Sequence, residues 1–318
     1  MHSAPAFVTT RRIFGVEVLS CHLDLACDLI EARIAKRTPT RVAFLNANLS
    51  LLAVDRSDLR EALDGFVVFN DGIGIAIANR ILNGSTFAAN LNGTDLVPHL
   101  LSRARGSLRI FLLGAKPETL QKAARTIERR WPRHVVVGQV NGYFKASQET
   151  LIQQAIAAAR PDIVLVAMGN PNQELWISRN IPHCAPCALG VGALFDFLTG
   201  EARRAPRWIR AVRFEWLFRL AREPRRLWRR YLIGNAAFLA YVFALWVAQR
   251  TGWSLGSRAD AIAADGPGRL ADREPREPQR IEGDSEGLVN AAPPLAASAA
   301  VQQLDAIGTS KTLSRHPV

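Results

Sequence analysis

The chain has 318 residues, of which 48% are apolar, and it carries a formal net charge of +12. This apolar content excludes a wholly disordered chain and suffices for one sizeable core with appendages. The charge is uneven, because residues 251–318 hold seven Lys/Arg and nine Asp/Glu, so the residues before them carry about +14. Such an excess indicates nucleic acid, an anionic membrane or phosphorylated substrates as partners, without deciding among them.

The N-terminus and the cysteines favour a cytoplasmic main body. Residues 1–15 contain no apolar stretch of signal-peptide length. Cys184 and Cys187 form a CxxC pair, but a zinc site needs about four ligands and the other two cysteines, Cys21 and Cys27, are distant in sequence. We therefore expect small buried side chains beside a strand and no metal site.

Short apolar runs alternate with longer helical patterns over residues 1–200. The predicted strands cover residues 41–45, 66–69, 108–113, 134–137, 162–168 and 188–191. The helix candidates between them include residues 47–63, 95–105, 117–131 and 148–160. Strands without polar alternation, separated by helices, predict a parallel sheet with helices on both faces. Residues 1–200 are thus predicted to form one α/β domain.

Polar residues follow the first two of these strands. In a parallel α/β sheet, ligands bind outside the carboxyl ends of the strands, so Asn46, Asn48 and the Asp71-Gly72 pair are placed for function. Asp71 is the candidate general base, since a carboxylate beside a pocket can be tuned to accept a hydroxyl proton. A plain turn aspartate is the equally weighted alternative, because Asp-Gly is a common turn pair.

Further polar clusters precede the later helices. Thr94 and Asp95 stand in helix-capping position, which explains them without a ligand, although a ligand role stays open. Gly114 opens a strand-to-helix turn of the kind that suits phosphate oxygens. Gln173 and Glu174 belong to the block GNPNQE (169–174), for which we favour function over a carboxylate that merely suits a helix start.

Residues 201–231 form an Arg-rich appendage. Eleven arginines lie within the 28 residues from Arg203 to Arg230. At about 100° per residue, a helix would carry one basic side and one apolar side. The basic side would hold Arg219, Arg222, Arg226, Arg229 and Arg230, and the apolar side Leu217, Leu220, Ala221, Leu227, Trp228 and Tyr231. This pattern favours a helix on an anionic bilayer, with a solvated face of an ordinary surface helix as the alternative.

An apolar segment, residues 232–249, follows the arginines. Its core of seventeen residues would reach about 26 Å as a helix, against a hydrocarbon thickness of about 30 Å. An interfacial helix and a single membrane span therefore both stay open, and in a span the flanking arginines would keep the preceding side cytoplasmic. Residues 250–318, rich in Ala, Pro and Gly, are predicted to be a disordered tail.

These blocks together resemble the WecG/TagA/CpsF family of bacterial glycosyltransferases over roughly residues 12–240. The matching stretches are NDGIGI (70–75), NGTDL (92–96), FLLGAKPE (111–118), GYF (142–144), MGNPNQELWI (168–177), GVGALFDFLTGEARRAPRWI (190–209) and FEWLFRLAREPRRLWRRYL (214–232). The resemblance implies a Rossmann-like fold, often called GT-E. It also implies an inverting transferase, without cofactor or metal, at the cytoplasmic face of the inner membrane.

The resemblance implies substrates and residue roles as well. The donor would be a UDP-sugar and the acceptor a polyprenyl-diphosphate-linked saccharide of a surface polysaccharide. Asp71 would be the catalytic base and Gln173 would line the site. Arg219, Arg226 and Arg229 would meet the diphosphate of the acceptor, since arginine forks match phosphate oxygens in bidentate fashion. Homo-oligomerisation stays open.

Three positions depart from the family pattern near the expected donor pocket. Asn172 stands where many relatives have Lys, Asn90 where many have Arg, and Phe44 where a hydroxyl residue is frequent. They leave the transferred sugar undetermined. The alternative function is a membrane-associated nucleotide-binding protein without turnover. Nucleic-acid binding is disfavoured, because the side of the appendage opposite its arginines is apolar.

Overall fold

The computed structural model describes residues 8–202, 205–206, 215–222 and 224–252. Its strands are β1 (Thr9–Ile13), β2 (Val16–Ser20), β3 (Thr40–Leu45), β4 (Val67–Asn70), β5 (Arg109–Gly114), β6 (Val135–Val140), β7 (Ile163–Ala167) and β8 (Cys187–Gly190). They form one sheet in the order β1-β2-β4-β3-β8-β7-β5-β6. The β1–β2 pair is antiparallel, and the other neighbouring pairs are parallel.

Helices connect the strands and continue beyond the sheet. They are α1 (Leu23–Ala35), α2 (Ala47–Asp55), α3 (Ser57–Asp64), α4 (Ile73–Asn83), α5 (Gly93–Arg103), α6 (Pro117–Arg130), α7 (Glu149–Ala159), α8 (Asn172–Asn180), α9 (Leu194–Thr199), α10 (Glu215–Arg222), α11 (Pro224–Trp228) and α12 (Gly234–Thr251). A π-helical turn, Arg229–Ile233, joins the last two.

The core lies on both faces of the sheet because successive strand residues point to opposite sides. Val42 and Phe44 of β3 pack with α1, α5 and α6 on one face, whereas Ala43 and Leu45 pack with α2, α3 and α4 on the other. The α/β architecture, with a mostly parallel sheet between helices, is therefore confirmed. Its continuous apolar strands are those that the sequence pattern predicts.

The details differ from prediction in several places. The predicted helix 47–63 is two helices, because the backbone of Arg56 is extended (φ −118°, ψ 107°) and ends α2. The sheet also has an N-terminal hairpin, β1–β2, so it is not wholly parallel. The predicted strands do not include this hairpin. The helix candidates named from the sequence do not include α1 or α4. The predicted strand 134–137 extends to Val140, where it pairs with β5.

The hairpin turn holds the C-terminal helix against the domain. Phe14 and Gly15 form the turn with positive φ values of 52° and 79°. This geometry carries the Phe14 ring into the core, where it lies 5.3 Å from the Phe238 ring and 4.9 Å from the Tyr241 ring of α12. Helix α12 also packs on α2 and α4.

Helix α12 has one buried side and one exposed side. Phe238, Val242 and Leu245 join the core of the α/β domain, whereas Leu239 and Phe243 are exposed. The continuous helix Tyr231–Thr251 is long and apolar enough to cross a membrane, by length and composition alone. The predicted domain boundaries stay a prediction. Most of the predicted tail, residues 253–318, lies outside the described residues.

Candidate active site

A cavity of about 1330 Å³ lies at the carboxyl edge of the sheet. Seven of the predicted site residues line it: Asn46, Asn48, Asp71, Gly72, Thr94, Asp95 and Gln173. Of the other predicted residues with described side chains, Gly114, Glu174 and Arg229 are not part of its described wall. Gly114 lies next to the lining residue Ala115, and Glu174 lies behind Gln173.

Two hydrogen bonds fix the backbone around Asp71. The Asp71 amide donates to the Leu45 carbonyl oxygen at 2.8 Å, which ties the end of β4 to the end of β3. The next amide, of Gly72, donates to Oδ1 of Asn90 at 2.7 Å. Gly72 has φ +90°, a conformation that side-chain-bearing residues rarely adopt, and begins α4. The partly exposed Asp71 carboxyl group is thereby held at the cavity wall.

Asn90 is a site residue whose role sequence reasoning missed. In the sequence it stands out only as a departure from the family pattern, yet it lines the cavity and positions the Asp71-Gly72 turn. The bond spans 18 residues. No periodicity in the loop between α4 and α5 signals such a long-range bond.

A chain of side-chain hydrogen bonds joins the ends of β3 and β7. Asn46 Nδ2 donates to Asn170 Oδ1 at 3.4 Å, and Asn170 Nδ2 donates to Glu174 Oε1 at 2.6 Å. The same Glu174 oxygen accepts from Gln173 Nε2 at 2.8 Å. Gln173 Oε1 in turn accepts from the Gly192 amide at 3.1 Å. The bonds with Glu174 and with the Gly192 amide therefore hold the Gln173 amide in one orientation.

Glu174 acts on the cavity through its neighbours. Its side chain is fully buried, and a buried carboxylate is tolerated only with hydrogen-bonding partners. Here it accepts from Asn170 and Gln173, both of which line the cavity. The structure thus makes Glu174 a positioning residue rather than a group that faces a ligand.

Thr94 and Asp95 lie in the first turn of α5, but they do not cap it. The cap is Asn92, whose Oδ1 accepts from the Asp95 amide at 2.9 Å and from Thr94 Oγ1 at 2.6 Å. Asn92 Nδ2 also donates to the Asp95 carboxylate at 2.9 Å. The predicted capping position was two to three residues late, although both side chains do reach the cavity wall.

The appendage supplies the outer part of the cavity wall. With the apolar segment that follows it, it contributes mostly apolar or aromatic lining residues, beside the polar Glu201 and Asn235: Ala202, Trp216, Leu227, Tyr231, Leu232, Ala236, Phe238 and Leu239. Arg229 is exposed, with its guanidinium 5.4 Å from the centre of the Trp228 ring. The side chains of Arg219 and Arg226 lie outside the described part of the chain. Their predicted role therefore stays a prediction.

Several helices begin at the cavity. The starts of α2, α4, α5, α6 and α8 all contribute to its wall, because each follows the carboxyl end of a strand or the loop beyond it. Helix N-termini carry partial positive charge and unpaired amide groups, which favour anions. Lys116, the residue before α6, adds a full positive charge. These positive groups, which suit phosphate oxygens, share the wall with the carboxyl groups of Asp71, Asp95, Asp196 and Glu201.

No cluster of three or more His, Cys, Asp or Glu side chains suited to a metal ion occurs within the described residues. Burial raises the pKa of both the Cys184 and the Cys187 thiols to about 12. Both thiols are thus protonated at neutral pH, and a protonated thiol is neither a good nucleophile nor a metal ligand.

Comparison with known proteins agrees with this geometry. Residues 11–252 match the glycosyl transferase WecG/TagA/CpsF family. A relative from Bacillus subtilis (strain 168), the N-acetylglucosaminyldiphosphoundecaprenol N-acetyl-beta-D-mannosaminyltransferase, is 31% identical over 228 residues, which cover 70% of this chain and 87% of the relative. The chain therefore belongs to the WecG/TagA/CpsF family of glycosyltransferases.

Proposed function

We propose that this chain moves a hexose or N-acetylhexosamine from a UDP-sugar to a polyprenyl-diphosphate-linked saccharide, with inversion at the anomeric carbon. Glucose, N-acetylmannosamine and its uronic acid are the candidate sugars, and a surface polysaccharide such as an exopolysaccharide is the candidate product. The name of the Bacillus subtilis relative supports the lipid-linked diphosphate acceptor. The observation that carries the proposal is the position of Asp71 at the wall of a cavity surrounded by helix N-termini.

The cavity fits two substrates. Its volume of about 1330 Å³ exceeds the roughly 300–1,000 Å³ of a pocket for one small molecule. The inner wall is polar and carries Asp71, Asn46 and Gln173, whereas the outer wall carries Leu232 and Leu239. A nucleotide-sugar beside a saccharide with an apolar tail would match this division.

The reaction would be a single displacement. The Asp71 carboxylate would take the proton of the acceptor hydroxyl while the hydroxyl oxygen of the acceptor forms a bond to the anomeric carbon. The bond from that carbon to the β-phosphate oxygen breaks, and UDP leaves with the bonding electrons. Lys116 and the helix N-termini would compensate the charge on the departing diphosphate, while Arg219, Arg226 and Arg229 would meet the diphosphate of the acceptor.

We further propose that the chain binds peripherally to the cytoplasmic face of the inner membrane. Phe238, Val242 and Leu245 pack within the α/β core, and a membrane span would have to give up this packing. The opposite side of the helix exposes Leu239 and Phe243, which suits shallow insertion into an anionic bilayer.

The test incubates purified protein with a polyprenyl-diphosphate-linked N-acetylglucosamine acceptor and a panel of UDP-hexoses and UDP-N-acetylhexosamines. Asp71→Asn should lower kcat about 10²–10⁴-fold, the contribution of a general base, while calorimetry shows that the donor still binds. Asp58→Asn, on the exposed surface of α3, serves as the matched control. Failure of wild-type protein with every UDP-sugar would refute the donor assignment. Binding without turnover would favour the nucleotide-binding alternative.

A further inference from the structure

Two apolar stripes lead out of the active-site cavity along neighbouring helices. On α4, Ile73, Ile77 and Ile81 repeat at intervals of four residues and therefore share one side of the helix. Ile73 and Ile77 line the cavity, while Ile77 and Ile81 are exposed. This stripe begins two residues after Asp71 and extends about 12 Å along the helix.

The second stripe lies on the helix that packs against α4. Leu232, Ala236, Leu239 and Phe243 follow at intervals of four, three and four residues, so they also share one side. The first three line the cavity, and all four are exposed. Close packing of Gly74 against the Phe238 ring brings the two helices together beside the cavity.

Exposed isoleucine, leucine and phenylalanine side chains in this arrangement are unusual for a surface that faces only water. Large contiguous apolar patches mark sites for apolar ligands, partners or membranes. Both stripes are continuous with the wall of the cavity, and the polar end of that cavity holds Asp71. A ligand that is polar at one end and apolar at the other would occupy both regions at once.

We propose that the two stripes form the binding track for the polyprenyl chain of the acceptor, the α4–α12 track. This assignment rests on the proposed function and names the part of the site that holds the lipid. The diphosphate-linked saccharide enters the cavity toward Asp71, and the isoprenoid chain leaves it between Ile77 and Leu239. Beyond Ile81 and Phe243, the isoprenoid chain enters the bilayer.

The test compares two acceptors that share the same diphosphate-sugar. One carries a long polyprenyl chain and is supplied in detergent solution without a bilayer, and the other carries a short, water-soluble alkyl chain. Ile81→Gln combined with Phe243→Gln should raise KM for the long-chain acceptor on the order of tenfold, because two apolar side chains lose their contact with the lipid. KM for the short-chain acceptor should stay unchanged.

Leu151→Gln is the matched control, since Leu151 on α7 is 42% exposed, close to the 39% of Ile81, and is not part of the cavity wall. It should change neither KM. Equal KM values of the double variant and wild type for the long-chain acceptor would overturn the track. Loss of vesicle binding by the double variant with unchanged KM in detergent would also overturn it, in favour of simple membrane docking. If wild-type protein transfers sugar to neither acceptor, the proposed function itself fails.

Discussion

Gly190 leaves room for Gln173 at the cavity wall. A Cβ atom placed on Gly190 would lie 2.9 Å from Nε2 of Gln173, closer than real Cβ contacts, and 3.2 Å from its Cδ, which is also tight. Because Gln173 is also held by Glu174 and by the Gly192 amide, it has little freedom to move aside. The requirement for glycine here comes from a neighbouring side chain rather than from the backbone of Gly190 itself.

Gly190→Ala is therefore expected to displace the Gln173 amide and to lower kcat/KM about tenfold, the effect of losing one or two hydrogen bonds. Steady-state kinetics with a fixed acceptor and varied UDP-sugar would measure the change. Gly106→Ala is the control, since a Cβ there meets nothing within 4 Å. Equal activity of the two variants would mean that the position of Gln173 does not matter for transfer.

The residues that sequence reasoning placed correctly share a simple physical rule. Asn46, Asp71 and Gln173 each follow a buried strand, and parallel strands bring their carboxyl ends to one edge. Asn90 and Asn92 could not be placed in this way. Their side chains act on the backbone of other residues, and such bonds depend on loop conformation that carries no periodic signal.

At the scale of elements, the sequence predicts helices and strands well where the apolar pattern is long. It fails at α4, whose sequence IGIAIANRILN contains one glycine and two asparagines, which disfavour a helix, and an apolar side that faces the cavity as well as the core. It also fails at the hairpin, because a positive φ at Phe14 is uncommon outside glycine and asparagine. In both places tertiary packing against α12 contributes to the local conformation.

The attachment of α12 to the domain can be tested with two phenylalanines on that helix. Phe238 is 1% exposed and packs on Phe14 and Gly74, whereas Phe243 is 62% exposed. Phe238→Ala should lower the free energy of unfolding by about 3–5 kcal/mol, since it leaves a cavity in the core. Phe243→Ala should change it by less than about 0.5 kcal/mol.

Urea unfolding followed by circular dichroism would measure both values. A large loss in both variants would mean that the exposed side of α12 is also packed. A small loss in both would mean that the helix contributes little to the stability of the domain. The expected asymmetry would also explain why an apolar segment that is long enough to span a bilayer stays with the α/β domain.

For the whole molecule, the predicted boundary near residue 250 lies close to the end of the last described helix, whereas the predicted boundary near residue 231 coincides with the start of the continuous helix Tyr231–Thr251. The family match ends at residue 252, close to the end of α12 at Thr251. The sequence marks residues 232–249 as a separate membrane-associated segment, because composition alone does not show which side of a helix is covered. In the structure, one side of that segment completes the core on which Phe14 and Leu49 lie.

Two truncations test where the cooperative unit ends. A chain that ends after Gly252 keeps every buried residue in the part of the chain that the structure describes, from Ile13 to Ala248. It should melt within about 3 °C of the full chain and transfer sugar at the same rate, because its free energy of unfolding should change by less than about 1 kcal/mol.

A chain that ends after Ile233 loses α12 and exposes Phe14, Leu49 and Ile75, which α12 covers. It should lose several kcal/mol, at about 2 kcal/mol for each buried side chain removed, and aggregate on heating. A shorter chain that melts like the full one would place α12 outside the folding unit and would favour its independent insertion into the membrane.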